Sequence, residues 1–287
     1  MNRKVQALIK LVRPAHYLKN ILVFVPAVFS GLLLDQKSFL ISMSGFVAFS
    51  LVASSIYIVN DIKDRHHDKL HPKKRLRPIA AGTVSVREAV ILALCLVSAA
   101  GAILCMLHAS WLATGLICFY AISNIAYSFG LKNVPIVDVF ILSLGFVVRV
   151  YFGAAIIGVE VSKWLYLAIL AFSFYLSLGK RRNEIIANGS KTRKVNKYYT
   201  EAFLDKNMYV CLGLTLMYYS LWSVDPSQKH KLIVFTVPLV ILIVMAYSLR
   251  VENSDSDGDP VSVVLGNKTL LALMAAYGFI ILTLVYL

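Results

Sequence analysis

The chain has 287 residues, of which 59% are hydrophobic and only 15% charged, with a net charge of +14 and a mean hydropathy of +0.72. A water-soluble domain carries about 25% charged residues, and a folded chain keeps too much exposed surface to hide this much apolar side chain from water. A soluble enzyme is excluded; the bilayer is the solvent that fits, since apolar stretches of span length recur along the whole chain.

In chain order, the opening MNRKVQALIKLVRP is basic and amphipathic and lacks a small-residue cleavage site, so it reads as a retained cytoplasmic segment. Apolar runs then predict membrane helices near 18–34, 39–60, 88–107, 111–129, 134–157, 163–179, 207–225, 231–249 and 268–287. The fold class is all-α, a single membrane domain over 1–287 of about nine transmembrane helices. Cys95, Cys105, Cys118 and Cys211 fall inside the apolar runs without a CxxC pair, which supports neither a disulfide framework nor a zinc site; they read as small apolar core residues.

The 29 lysines and arginines are lopsided. All but Lys37, Arg149, Lys163, Lys229 and Lys231 fall in 1–19, 61–87, 130–133, 180–206 and 250–268. The positive-inside rule makes those segments cytoplasmic, with the N-terminus inside and the C-terminus outside. The basic clusters need no nucleic acid, because anionic lipid headgroups account for most of them. Nothing in the composition decides the oligomeric state, and a homo-oligomer stays open.

The chemistry concentrates in the first long cytoplasmic connection. Asp61, Asp64 and Asp68 stand at i, i+3 and i+7, so a continuing helix would place all three on one face. Carboxylates that close repel unless a cation joins them, and hard oxygens at this spacing suit Mg²⁺, which shares its shell with water and substrate phosphates. Asn60 and Asp61 sit at the membrane boundary directly after Ser54, Ser55 and Tyr57, polar groups that line an interior rather than face lipid. The same connection carries Lys73, Lys74, Arg75 and Arg77. A bare metal site has no need of them, whereas a polyanionic, Mg-bound substrate does.

Asn60 to Asp68 fits NDxxDxxxD, and in this position the chain resembles the UbiA-type membrane prenyltransferase superfamily, whose aspartates hold Mg²⁺ on a diphosphate. That superfamily's second motif is DxxxD; here Asp138 is present but its i+4 position is Leu142. Arg13-Pro14 with Lys19-Asn20, the run from His71 to Pro78, Tyr127-Ser128 with Lys132, Gly145-Phe146 with Arg149, and Gly179-Lys180-Arg181-Arg182-Asn183-Glu184 are similar to one branch, the decaprenyl-phosphate phosphoribosyltransferases. The likeness runs from about residue 11 to residue 190. It implies a Mg²⁺-dependent transfer from phosphoribosyl pyrophosphate to a polyprenyl phosphate, in a bacterial-type inner membrane. It places Asn60, Asp61, Asp64 and Asp68 in the reaction. Lys19, Asn20, Lys73, Arg75, Arg77, Tyr127, Lys132, Asp138, Arg149, Lys180 and Arg181 become substrate contacts, on cytoplasmic active-site loops at 61–87 and 180–206 and the helices beside them.

Arg149 supports this branch physically. An unpaired charge deep in a span costs on the order of 3 kcal/mol or more, so it should face the bundle interior and meet an anion, either a substrate phosphate or an aspartate across neighbouring helices. Two rivals stand beside this reading. One is a prenyl transfer to an aromatic acceptor, disfavoured by the missing second acid and the surplus of cations. The other is a transporter of lipid phosphates, disfavoured by the lack of an internal repeat.

Overall fold

The computed structural model describes residues 3–70, 74–188, 194–226, 230–253 and 258–287. Its α-helices are α1 (Arg3–Val12), α2 (Val25–Phe29), α3 (Gln36–Leu70), α4 (Val86–Met106), α5 (Trp111–Phe129), α6 (Val137–Ile157), α7 (Lys163–Asn188), α8 (Glu201–Ser223), α9 (Val237–Val251), α10 (Pro260–Leu265) and α11 (Lys268–Tyr286). Short 3₁₀ segments link several of them, and no strand occurs among the described residues.

Among the described residues, six helical stretches are long and apolar enough to cross a membrane: α3, α4, α5, α6, Lys231–Val251 and α11. The other expected spans have a different character. Residues 18–34 fall on a 3₁₀ helix, Pro14–Phe24, followed by the five-residue α2. The spans expected at 163–179 and 207–225 lie on α7 and α8, whose charged ends and hydroxyl-bearing side chains dilute their hydropathy. Only 22% of the apolar window in α4 and in α5, and 11% in α11, is buried by protein, which leaves those faces to lipid. The cysteines follow suit. Cys95, Cys105 and Cys118 are exposed rather than core residues, because the outside of a membrane helix is as apolar as its inside.

By internal packing the chain forms two compact units. The first comprises Met1–Ala27, Leu33–Phe129 and Val148–Val159; the second comprises Val28–Leu32, Gly130–Val147 and Glu160–Leu287. In the first unit, the 35-residue α3 runs about 52 Å at 1.5 Å per residue, well beyond a hydrocarbon core of ~30 Å. Residues 61–70, expected as loop, are therefore the end of a membrane helix that continues past the bilayer. Ala7 and Leu11 of α1 pack with Ile58 of α3, Ile79, Val84, and Ala89 and Ala93 of α4. This small core ties α1 and the 74–85 connection to α3 one turn before Asp61. Ser85 then caps α4 with a capping box to Glu88, which fixes where the connection ends.

The second unit is built on α7 and α8. Tyr175, Leu176 and Leu178 of α7, Leu204 and Met208 of α8, and Tyr247 and Val251 of α9 share its core with Val139, Val195 and Tyr199. Here too the expected loop at 180–206 starts late, since α7 stays helical to Asn188.

One close approach in the first unit governs a functional position. A Cβ added at Gly153 on α6 would lie 2.1 Å from the Val23 carbonyl oxygen, so only glycine lets this backbone contact form. Gly153→Ala should destabilise the protein by about 1–3 kcal/mol through overpacking, read as thermal unfolding in detergent micelles. Gly101→Ala, whose added carbon meets nothing within 4 Å, should not.

Candidate active site

Asp61 and Asp68 are the most enclosed charges at the end of α3, 2% and 4% exposed. Buried carboxylates need partners, and two arginines from different segments supply them. Arg13 Nη2 donates to Asp61 Oδ1 at 2.5 Å. Arg77 Nη1 donates to the same oxygen at 3.1 Å and to Asp68 Oδ2 at 2.8 Å, so a single nitrogen joins both acids. The Arg13 guanidinium also lies over the Tyr57 ring, 4.9 Å from its centroid. Lys63 donates to the Ser128 carbonyl and sits 4.2 Å above Phe129, tying α3 to the end of α5.

Asp64 is half-buried on the same helix, yet no group of three His, Cys, Asp or Glu side chains converges among the described residues. Of the three expected ligands, Asp61 and Asp68 share the Arg77 nitrogen, and Asp64 lies between them on the same helix. Asn60 is half-buried one residue before Asp61. The pair fits Mg²⁺ by donor chemistry. The arginine contacts fall on one oxygen of each carboxylate, and Mg²⁺ is commonly held by one or two carboxylates with phosphate and water completing its shell. Arg75 is exposed, and Lys73 lies outside the described residues.

A second polar cluster in the first unit surrounds Arg149, 5% exposed on α6. Its Nε donates to Asn20 Oδ1 at 2.8 Å and its Nη2 to the Tyr120 hydroxyl at 2.9 Å. Asn20 donates onward to Ser50 at 2.9 Å. The guanidinium lies 5.0 Å from the Phe49 centroid and 4.8 Å from that of Tyr120. Gly153 stands one turn from Arg149, and Val23 one turn from Asn20, so their close backbone approach sets this contact. The expectation that Arg149 turns inward holds, with Asn20 and Tyr120 accepting from it and the Phe49 and Tyr120 rings against its faces. Lys19 and Tyr127 are half-buried in the same unit.

Asp138 belongs to the second unit and answers a different cation. Its Oδ2 lies 2.7 Å from Arg181 Nη2, and its Oδ1 accepts from the Tyr199 hydroxyl at 2.6 Å. The Tyr199 oxygen in turn accepts from the Ile136 backbone N–H at 2.5 Å, where Ile136 turns with φ +68. Burial, reinforced by the Asp138 hydrogen bond, pushes the Tyr199 hydroxyl well above its ordinary pKa, so it stays a donor. Arg181 also meets Glu184. Asp138 and Arg181, both expected to touch substrate, are 0% and 2% exposed and joined to each other. Lys180 lies 3.5 Å from Asp259, and Lys132 is half-buried.

Sequence reasoning passed over Tyr120 and Tyr199 as site residues, and Arg13 entered it through the Arg13-Pro14 resemblance rather than as a partner of Asp61. The two tyrosines carried no signal, being indistinguishable from belt or packing aromatics.

With this geometry in view, the chain can be placed. Residues 23–264 match the UbiA prenyltransferase family, and the chain belongs to that family. It is 33% identical to a Corynebacterium glutamicum protein called decaprenyl-phosphate phosphoribosyltransferase, over 97% of this chain and 86% of that one. The protein of the same name from Mycolicibacterium smegmatis is 32% identical, over 95% of this chain and 90% of that one. Among solved structures, a UbiA homolog from Archaeoglobus fulgidus bound to GPP and Mg²⁺ aligns with a TM-score of 0.74 at 20% identity, covering 96% of this chain and 99% of that one. At that identity the likeness is one of fold.

The Asp138 cluster makes a stability prediction. Asp138→Asn should cost about 3 kcal/mol or more, because Arg181 loses a buried carboxylate. Tyr199→Phe should cost about 1–3 kcal/mol. Replacing all three charges, Asp138→Leu, Arg181→Met and Glu184→Gln, should recover much of the loss in thermal unfolding.

Proposed function

We propose that the protein transfers the 5-phosphoribosyl group of phosphoribosyl pyrophosphate to a polyprenyl phosphate, releasing diphosphate, with Mg²⁺ at the Asp61–Asp68 pair. The observation that carries this reading is the mixed character of that cluster, two enclosed carboxylates interleaved with two guanidinium groups. Acids alone suit a metal. Acids with arginines suit a metal that arrives on a polyanion. The relatives that align over nearly the whole chain bear the matching name.

Prenyl transfer to an aromatic acceptor is the weaker account. The superfamily's second acidic motif has Leu142 at its closing position, and its remaining acid, Asp138, is engaged by Arg181 and Tyr199.

The reaction follows from charge. A phosphate oxygen of the acceptor bonds to the anomeric carbon of ribose as the bond from that carbon to diphosphate breaks, and the electron pair leaves on diphosphate. Mg²⁺, when bound, supplies positive charge to that departing group. Asp61 and Asp68 would hold the ion. Arg13 and Arg77 would donate to diphosphate oxygens. The acceptor phosphate is ionised at neutral pH, so no proton has to be taken from it. His66 and His67, exposed at the end of α3, are therefore given no catalytic part. Arg149 holds a positive charge inside the apolar bundle, where it favours a substrate phosphate. Arg75, Lys19, Lys132 and Lys180 add to the field that draws both anionic substrates.

The lopsided basic residues support an N-terminus and an aspartate cluster on the cytoplasmic side of a bacterial-type inner membrane. Cysteines introduced at Arg75 and Lys194 should stay shielded from membrane-impermeant reagents in intact cells; ready labelling from outside would reverse the orientation.

The deciding assay offers purified protein radiolabelled phosphoribosyl pyrophosphate and polyprenyl phosphates of several lengths. Label should pass into lipid only with Mg²⁺, and Asp61→Asn should abolish the transfer. Arg149→Ala should slow it about 30- to 1,000-fold, or about 2–4 kcal/mol. Prenylation of an aromatic acid with no use of phosphoribosyl pyrophosphate would overturn the assignment.

A further inference from the structure

The atom that joins Asp61 and Asp68 is itself a cation. Arg77 Nη1 touches one oxygen of each carboxylate, and Arg13 Nη2 touches the Asp61 oxygen as well. A position where one positive atom meets two enclosed carboxylates is also where a divalent ion would bridge them. The nitrogen stands 2.8 and 3.1 Å from these oxygens, whereas Mg²⁺ needs oxygens at about 2.0–2.1 Å. Both cannot occupy that position.

Resting on the reading of this cluster as the Mg–diphosphate site, we propose that Arg77, seconded by Arg13, is an internal placeholder for the metal. Between turnovers the two guanidinium groups neutralise Asp61 and Asp68. On binding, the ion takes the carboxylate oxygens, and the released guanidinium groups turn to the diphosphate that arrives with it.

The partners that move are the arginines. Asp61 and Asp68 are fixed on one unbroken helix, whereas Arg77 follows a three-residue 3₁₀ turn, Lys74–Leu76, and both arginine side chains are only partly buried. Arg13 sits at φ 56 and ψ 60 immediately before Pro14, a left-handed conformation that is strained for a non-glycine residue. The Asp61 contact and the Tyr57 ring help hold it there.

Charge balance makes the exchange conditional. Two carboxylates and two guanidinium groups already cancel, so a bare divalent ion would bring uncompensated positive charge into a partly enclosed site. An ion accompanied by diphosphate does not, because the phosphate oxygens absorb the freed arginines. The wild-type protein should therefore take up metal well only together with diphosphate, and each should strengthen the other's binding by the same factor.

The test measures Mn²⁺ retained by the full-length protein in equilibrium dialysis, with and without inorganic diphosphate. Wild type should bind Mn²⁺ weakly alone and much more tightly with diphosphate. Arg77→Gln should bind Mn²⁺ alone about tenfold or more tighter than wild type, since the site no longer has to be vacated first, and diphosphate should add less. Arg13→Gln, which leaves the Arg77 bridge in place, should shift Mn²⁺ binding the same way by a smaller factor and serves if Arg77→Gln does not fold. Arg77→Lys should restore part of the dependence on diphosphate. Asp61→Asn should bind no Mn²⁺ at this site in either condition. If Arg77→Gln and Arg13→Gln lower thermal stability while Mn²⁺ binding stays at the wild-type value, the arginines are structural and the placeholder is overturned, with the metal site intact. If wild type retains no Mn²⁺ even with diphosphate, the Mg²⁺ reading of the cluster itself falls.

Discussion

An ionised carboxylate enclosed at the end of a membrane helix is tolerated only when cations reach it, and Asp61 imposes that condition on the first unit. α3 carries the acid past the bilayer without a break. α1 is pinned beside it through Ala7 and Leu11, and the chain then turns at Arg13 so that the guanidinium lands on Asp61. The connection after α3 is held down by Ile79 and Val84 and stopped by the Ser85 cap, which leaves Arg77 between Asp61 and Asp68. Breaking either apolar anchor would move a cation away from a carboxylate that solvent hardly reaches. Apolar packing and ionic pairing are in this sense one arrangement.

The two deeply buried arginines solve the same desolvation problem in different ways. Arg181 meets two carboxylates, Asp138 and Glu184, and the nearby Tyr199 hydroxyl completes Asp138. With two acids to one guanidinium, this cluster more than offsets the arginine's charge inside the second unit. Arg149 is met by an amide oxygen, a hydroxyl and two aromatic faces, which solvate the cation through dipoles and quadrupoles. Neutral acceptors of this kind take hydrogen bonds from the guanidinium without a charge of their own. Three arginines thus meet three kinds of partner: Arg77 bridges two acids, Arg149 donates to neutral oxygens, and Arg181 pairs with Asp138 and Glu184.

Much of this was legible in the sequence. Mean hydropathy and the lopsided lysines and arginines settled the class, because a span of apolar residues has few other uses and charge at its ends is strongly placed. The register of Asp61, Asp64 and Asp68 identified the acidic end of α3, since helical spacing is a local property. Periodicity could not separate lipid-facing from protein-facing sides. Cys95, Cys105 and Cys118 were misassigned for that reason, as both sides are apolar.

What the sequence determined by itself is therefore what local chemistry and solvent dictate: an all-helical membrane protein, its charged face, and a carboxylate motif at one helix end. Tertiary structure decided which cation meets which acid. Arg13 reaches Asp61 across 48 positions, and Arg149 reaches Asn20 across 129. Asp138 pairs with Arg181 of α7 rather than with Arg149 of its own helix. Partners so distant along the chain, on side chains long enough to reach several alternatives, are chosen by packing: the Gly153–Val23 contact, the cap at Ser85, the turn at Arg13. No local pattern encodes those choices, because each depends on two segments arriving at the same place.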